Sequence, residues 1–491
     1  MKKFTKILAA LLSMLMVVAL IACSDATDTP EDSSASAVVS DDTAAGDTAA
    51  ESTKLEPVLP DTKYNREFKI ASGYVTETKY TTNLIISDET TGDILNDAIF
   101  SRTVLMEERF GITMVVDDIP VATLKTAHGS GEHIYDIGTA TLSEITTVLT
   151  NGLATDLNKV NSIDLSNPWW DQNANAKFAI TDKLFYTFSD FFITGIDNTR
   201  ACYFNKELAT DLNLGNLYSI AKEGTWTFEK FRAMCVVALS DLDGNGVIDS
   251  NDRVGVAEKG TQFYEAVMSA CDMEPVKQGS DSVAYYSGNV ERDKFIDVYT
   301  QVLDWFTKDN TYLNIANATA LEMFKNGNSL FILYTFSECP KLRSETSVEF
   351  GIMPIPKYNE DQANYQHTSP NGDALFICAG TEEEMEFAGV MCEAAAYFSS
   401  NYYSDDAVMP SYFNLCLATK NAPDLDSSEN LQIIHDTISY TIKLYGTEYM
   451  QAIYDQLAAS NYNIASKLTQ LDKLHVKNIT KKLESYGVEL D

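Results

Sequence analysis

The chain has 491 residues, 45% of them apolar and 22% charged, with 71 acidic side chains against 36 basic and a formal net charge of -35. At that length one hydrophobic core gives way to two, because cores stop growing at roughly 250 to 300 residues. So acidic a chain, with no Lys/Arg-rich run, repels phosphate backbones and anionic lipid faces, which excludes nucleic acid as a partner and leaves membrane contact to an anchor.

Lys2, Lys3 and Lys6 precede an apolar stretch at 7–21, and small Ala22 precedes Cys23. That is the layout of an export signal over 1–22, too short for a lasting membrane span, which needs about 20 apolar residues. Leu20-Ile21-Ala22-Cys23 resembles a bacterial lipobox, which implies acylation of Cys23 and cleavage just before it; the other reading is an ordinary secretory signal with a chance cysteine. Loss of 1–22 removes three positive charges and takes the net charge from -35 to near -38. From 24 to about 60 the chain is Ser, Asp, Thr, Ala, Glu and Pro, with few large apolar side chains. Such a segment cannot bury enough surface to offset its ordering entropy, so 23–63 is expected to be a tether and the folded body to begin near Tyr64.

Phe68-Lys69-Ile70-Ala71 reads as a first strand. Over 93–110, Ile94, Leu95, Ala98, Val104, Leu105 and Met106 supply one buried helix face, and Gly111 supplies its stop before a strand at 112–116. A third strand is expected at 134–137 and a helix at 143–151, with Leu142, Ile145, Val148 and Leu149 on one face and Gly152 closing it. Strands alternating with helices imply a mostly parallel sheet covered on both sides.

Asn167-Pro168-Trp169-Trp170-Asp171-Gln172-Asn173 combines aromatic and polar side chains as a sugar-stacking surface would, or as a Trp pair plugging a lobe beneath a loop would. Trp226 sits at a helix start that Thr227 can cap, so a staple is expected there. The helix at 228–240 is followed by Asp241-Leu242-Asp243-Gly244-Asn245-Gly246-Val247-Ile248-Asp249-Ser250-Asn251-Asp252. Asp241, Asp243, Asn245, Asp249 and Asp252 fall at loop positions 1, 3, 5, 9 and 12, Gly246 at 6 permits the turn, and Val247 at 7 offers a carbonyl. The loop resembles an EF-hand loop, with Asp252 where a bidentate Glu is usual and a strand in place of an exit helix. A structural Ca2+ pin is expected in preference to a switch, an acidic glycine turn without metal being the alternative.

Helices at 292–307 and 382–399 follow, the first with Trp305 among core positions, the second opened by a Thr381/Glu384 capping box. From about 430 the pattern is helical throughout. Cys202, Cys235, Cys271, Cys339, Cys378, Cys392 and Cys416 are odd in number and lie in apolar runs, so buried thiols are expected, not a disulfide framework. The only close histidine pair, His128 and His133, reads as solvated loop residues. No G-x-S-x-G elbow, P-loop, G-x-G-x-x-G or H-E-x-x-H occurs, so no catalytic residue is assigned.

Several segments in this order resemble the bacterial extracellular solute-binding proteins, family 1 type, of carbohydrate ABC importers. They are the lipobox and tether, Tyr135-Asp136-Ile137, Asp164-Leu165-Ser166-Asn167-Pro168-Trp169-Trp170-Asp171, Tyr203-Phe204-Asn205-Lys206, Gly224-Thr225-Trp226-Thr227, Phe324-Lys325-Asn326-Gly327 and Gly351-Ile352-Met353-Pro354-Ile355-Pro356-Lys357-Tyr358. The resemblance implies an α/β, two-lobe periplasmic-binding-protein-like fold of type II, its lobes joined by hinge strands and closing on a solute. The first lobe would comprise 64–197 and 330–374 and the second 198–329 and 375–491, with crossings near 197–202, 329–333 and 373–376. It also implies a cleft lined by Trp169, Trp170, Asp171, Asn198, Arg200, Tyr334, Glu338 and Asp373, with Tyr74 and Thr141 beside them. The function implied is that of a monomeric, non-enzymatic receptor, extracellular and held to the cell membrane by lipidated Cys23, passing a sugar or other small polar solute to an ABC permease. A surface-anchored carbohydrate-active enzyme, with two carboxylates flanking a sugar, and a binding protein feeding a sensor are the alternatives.

Overall fold

The computed structural model describes residues 55–73, 85–131, 133–370, 372–445 and 447–489. The export signal, Cys23, the tether as far as residue 54 and Tyr74 lie outside the described residues. The last part of the expected tether belongs to the folded body: Leu59 packs on the first core, and Lys63 Nζ donates to the carbonyls of Glu108 and Arg109.

The first sheet is built from β1 (Glu67–Ser72), β2 (Thr113–Asp118) and β3 (Ile137–Thr141), all parallel, with a later strand antiparallel to β3 at its edge. Helix α1 (Ile94–Phe110) connects β1 to β2. Asp93 caps it by accepting from the N–H groups of Leu95 and Asn96 at 3.1 and 3.2 Å, and Gly111 ends it at φ 61°, where a side chain would be strained. Leu95, Ala98 and Met106 are buried as expected, whereas Ile94 is exposed. β3 starts at Ile137, three residues later than expected. The preceding Asp136 is a buried anchor, its carboxylate accepting from Lys69 N at 2.8 Å and Arg66 at 2.7 Å.

The chain leaves this sheet after a short helix, α2 (Thr194–Asp197), and enters a second through β4 (Arg200–Asn205). Helix α3 (Phe228–Ala238) is capped by Thr227, and Trp226 is fully buried, its indole donating to Pro354 O at 2.9 Å and its ring packing on Phe231 at 5.6 Å, which makes it the expected staple. The second sheet adds β5 (Val254–Glu258), β6 (Tyr312–Asn314), β7 (Ser329–Thr335) and β8 (Phe350–Met353), in the order β8-β4-β7-β5-β6. β5 is parallel to β6 and β7, β4 antiparallel to β7, and β8 antiparallel to β4. Trp305 is core, with Phe228, Phe231 and Phe263 around it. All seven described cysteines are buried free thiols.

β9 (His367–Thr368) precedes the edge strand of the first sheet, β10 (Asp373–Ile377), which pairs with β3. Helix α4 (Glu382–Ser399) opens with the Thr381/Glu384 capping box and packs on that sheet. Helix α5 (Leu425–His435) packs on the second sheet, against β8.

Three features differ from the sequence-based expectation. The second sheet is mixed, with two antiparallel pairings beside two parallel ones, whereas the first is mostly parallel as expected, with β10 its antiparallel edge. Ser329–Thr335 is the middle strand of the second sheet, not a crossing into the first lobe, and Asp373–Ile377 belongs wholly to the first sheet, so the crossing back is 354–372. Each of these runs is almost wholly apolar, which marks a buried strand but carries no sign of which sheet takes it. Third, the C-terminal part is not helical throughout. β11 (Ile438–Ser439) pairs with β9, and Tyr440, Ile442, Leu444 and Tyr445 then enter the first core. The last long helix, Ile464–Ser485, buries Leu468 and Leu471 in the second core and Ile479 and Leu483 in the first. Among the described residues no helix is long and apolar enough to cross a membrane.

Candidate functional site

In open α/β sheets a ligand lies in the crevice beyond the carboxyl ends of the parallel strands. In the first sheet those ends are Ser72, Asp118 and Thr141, and antiparallel β10 sets Asp373 opposite Thr141. In the second they are Glu258, Asn314 and Thr335, and antiparallel β4 sets Arg200 opposite Thr335. The α2 crossing ties one edge to the other. Thr194 Oγ1 accepts from the Asp373 N–H at 3.3 Å, and Arg200 follows six residues later, so the two edges stand at most about 20 Å apart.

The groups gathered there are charged, buried and incompletely paired. Arg200 is 5% exposed; its guanidinium lies 3.6 Å from the Glu258 carboxylate and donates to Leu333 O at 3.3 Å, while its Nε has no partner among the described residues. Glu258 likewise keeps one oxygen without a donor, and burial pushes it up to about 7 against the pull of Arg200. At the first edge, one oxygen of buried Asp373 has no donor among the described residues, and burial, with Glu144 acting in the same direction, raises it to about 8. Near neutrality both carboxyls are partly protonated and can donate as well as accept. Thr141 donates to Glu144 at 2.8 Å. Tyr334 is half-buried, its hydroxyl on Asn317 O at 3.3 Å, and the side-chain oxygen of Asn317 has no partner among the described residues. Glu338, half-buried with Lys341 at 3.8 Å, and Asn198, whose amide donates to Thr194 O at 3.1 Å, complete the second edge. Leaving a buried polar atom without a partner costs about 1–3 kcal/mol, and among the described residues four such atoms, on Arg200, Glu258, Asn317 and Asp373, lie at or beside these strand ends.

Asn198, Arg200, Tyr334 and Glu338 thus lie at the second edge and Thr141 and Asp373 at the first, while three expected lining residues lie at neither. Trp169 and Trp170 are 0% and 1% exposed, and their indole N–H groups donate to the two oxygens of Glu393 at 2.9 and 2.8 Å. They plug the first lobe and offer no stacking face to the cleft. Asp171 caps the helix Gln172–Phe178 through Ala174 N at 2.9 Å and accepts from the Tyr440 hydroxyl. Glu258 and Asn317 were not singled out by sequence reasoning. Glu258 had a usable signal, as the acidic residue closing the apolar run Val254–Glu258, with Lys259 next and then a glycine-started helix.

A second cluster lies between α3 and β5. Gly244 and Gly246 take φ of 72° and 79°, and their N–H groups donate to the two oxygens of Asp241 at 2.7 and 2.8 Å. Buried Asp252 accepts from Leu242 N at 2.8 Å and Asp249 N at 2.9 Å; the Asp249 bond is the larger cause holding its carboxyl below the usual range. Carboxylate oxygens of Asp241, Asp243 and Asp252 lie within 4.8 Å of one another. Asn245 accepts from Val247 N at 2.7 Å and Asp249 from Asn251 N at 2.8 Å. Three hard oxygen donors of the expected six converge, which fits a cation such as Ca2+. Of the two close histidines, His133 lies 3.9 Å from Glu384 and 4.0 Å from Asp136.

Neither a scan of protein-family profiles nor a search of curated proteins finds a match for the chain. Solved structures do resemble it. The galacto-N-biose/lacto-N-biose I-binding protein of an ABC transporter from Bifidobacterium longum, in complex with lacto-N-biose, superposes with a TM-score of 0.56 at 11% identity, over 87% of this chain and 98% of that one. A cyclo/maltodextrin-binding protein complexed with maltotetraose gives 0.56 at 13% identity, over 88% and 98%. An ABC substrate-binding protein from Listeria monocytogenes in complex with cycloalternan gives 0.53 at 11%, over 85% and 99%. The chain therefore has the mixed α/β, two-lobe periplasmic-binding-protein-like fold.

Proposed function

We propose that this chain is a lipid-anchored, extracellular solute-binding receptor that captures a sugar or oligosaccharide between its lobes and delivers it to an ABC permease. The observation that carries this reading is the set of buried polar atoms on Arg200, Glu258, Asn317 and Asp373 without a partner among the described residues, at or beside the strand ends of a fold shared with solved proteins complexed with maltotetraose and lacto-N-biose. Arg200 and the two carboxyls would take ligand hydroxyls, and the ring of Tyr334 would pack on the sugar's apolar face. The lipobox-like Leu20-Ile21-Ala22-Cys23 supplies the anchor, and the fold supplies lobes whose closure the solute favours.

Titrating the full chain with mono- and oligosaccharides while following its melting midpoint tests the reading. A solute that binds only the folded form adds ~2.7 kcal/mol of stability at a hundredfold excess over its dissociation constant. A rise with one sugar class, the sugar recovered intact, is expected. No rise with any sugar removes the sugar receptor, and consumption of the sugar turns the reading to an enzyme.

The loop of Asp241, Asp243, Asn245, Val247, Asp249 and Asp252 is proposed to hold a structural Ca2+, neutralising carboxylates that otherwise repel one another. A chelator is then expected to lower the melting midpoint, with Ca2+ restoring it, and Asp243→Ala to abolish the response. A midpoint indifferent to both leaves an acidic turn without metal.

A further inference from the structure

Gly195 and Ile196 of α2 line a groove of about 290 Å³. Its walls are the first lobe at 168–173 and 188–192 and, opposite, the end of α5 with β11. Asp171, Asp190 and Asp436 line it, no lysine or arginine does, and His435 is its one basic side chain.

Asp436 is already engaged by Gln432 Nε2 at 2.7 Å and His435 Nδ1 at 3.2 Å. The carboxylate of Asp190 has no donor among the described residues and faces Asp171, and burial together with that neighbour pushes it well above the usual range. Ser189 is 7% exposed, lines the same groove, and its hydroxyl has no partner among the described residues. Phe188 stacks on Tyr440 at 4.5 Å, and Phe192 and Trp170 extend this apolar wall.

We propose that this groove binds an organic ammonium ion, its N–H groups donated to Asp190, Asp171 and Ser189 Oγ and its carbon skeleton laid against Phe188 and Phe192. Two neighbouring carboxylates with no cation between them call for positive charge, and aromatic faces favour a cation that carries carbon. A metal ion fits less well: among the described residues the only acidic and histidine side chains that converge in a group of three are Asp241, Asp243 and Asp252. The proposal does not depend on what the cleft between the strand ends binds.

Calorimetric titration of the full chain with butylammonium tests it, with butanol as the uncharged counterpart and Mg2+ as the inorganic cation. Butylammonium is expected to bind, butanol at least about tenfold more weakly, and D190N to weaken butylammonium by about tenfold or more. Should D190N not unfold cooperatively, F192A takes its place and must weaken the same probe. Absence of butylammonium binding, equal binding of butanol, preference for Mg2+, or an affinity unchanged in the variant that folds overturns the proposal.

Discussion

Replacing Glu393 with leucine is expected to destabilise the chain by about 3–5 kcal/mol, read as a lower urea midpoint at unchanged slope. One buried carboxylate on α4 satisfies both indoles of Trp169 and Trp170, the Asn167 amide at 2.8 Å and the Asp164 N–H at 3.2 Å. Leucine fills a similar volume but accepts nothing, and the two indole N–H groups, fully enclosed, have no route to water. Glu393→Gln is expected to cost less, since its carbonyl still takes one indole. A loss below about 1 kcal/mol for leucine would mean that the Trp pair is held by packing alone.

Arg200→Met carries the largest expected effect on binding. Hydrogen bonds from a charged group contribute about 1.5–3 kcal/mol each, so losing the guanidinium weakens the solute by about a hundredfold. The same change strands Glu258, which is 1% exposed, and costs stability of a few kcal/mol, limited because Glu258, already raised to about 7, can take a proton. Arg200→Met with Glu258→Met is therefore expected to recover stability without recovering affinity. Titration calorimetry beside urea unfolding separates the two effects, and a single variant that binds the sugar as tightly as the parent removes Arg200 from the site.

Local features were readable from the residues alone. Asp93 and Gly111 bracket α1, Thr381 and Glu384 open α4, and Thr227 caps α3, because caps depend on neighbours three or four positions away. The two-lobe periplasmic-binding-protein-like fold was legible through segments in a fixed order along the chain. Long-range pairing was not: nothing in Ser-Leu-Phe-Ile-Leu-Tyr-Thr at 329–335 distinguishes a partner in one sheet from a partner in the other. The Trp pair shows the same limit at the level of the site. Trp-Trp-Asp-Gln-Asn has the composition of a sugar platform, and what decides its use is Glu393, more than two hundred positions on. Arg200, Tyr334 and Asp373 are nominated because the resemblance implies that strand ends line the cleft, and the structure places them at strand ends. Glu258 and Asn317 were missed because their orphaned oxygens exist only once β5 and β7 are paired.

A crystal structure of the chain grown with the sugar that most raises its melting midpoint would show where the solute sits. The sugar is expected between the two strand edges, within hydrogen-bond distance of Arg200 and Asp373 and against the ring of Tyr334. A sugar seated instead in the groove beside Asp190, or on a surface away from both edges, would contradict that placement.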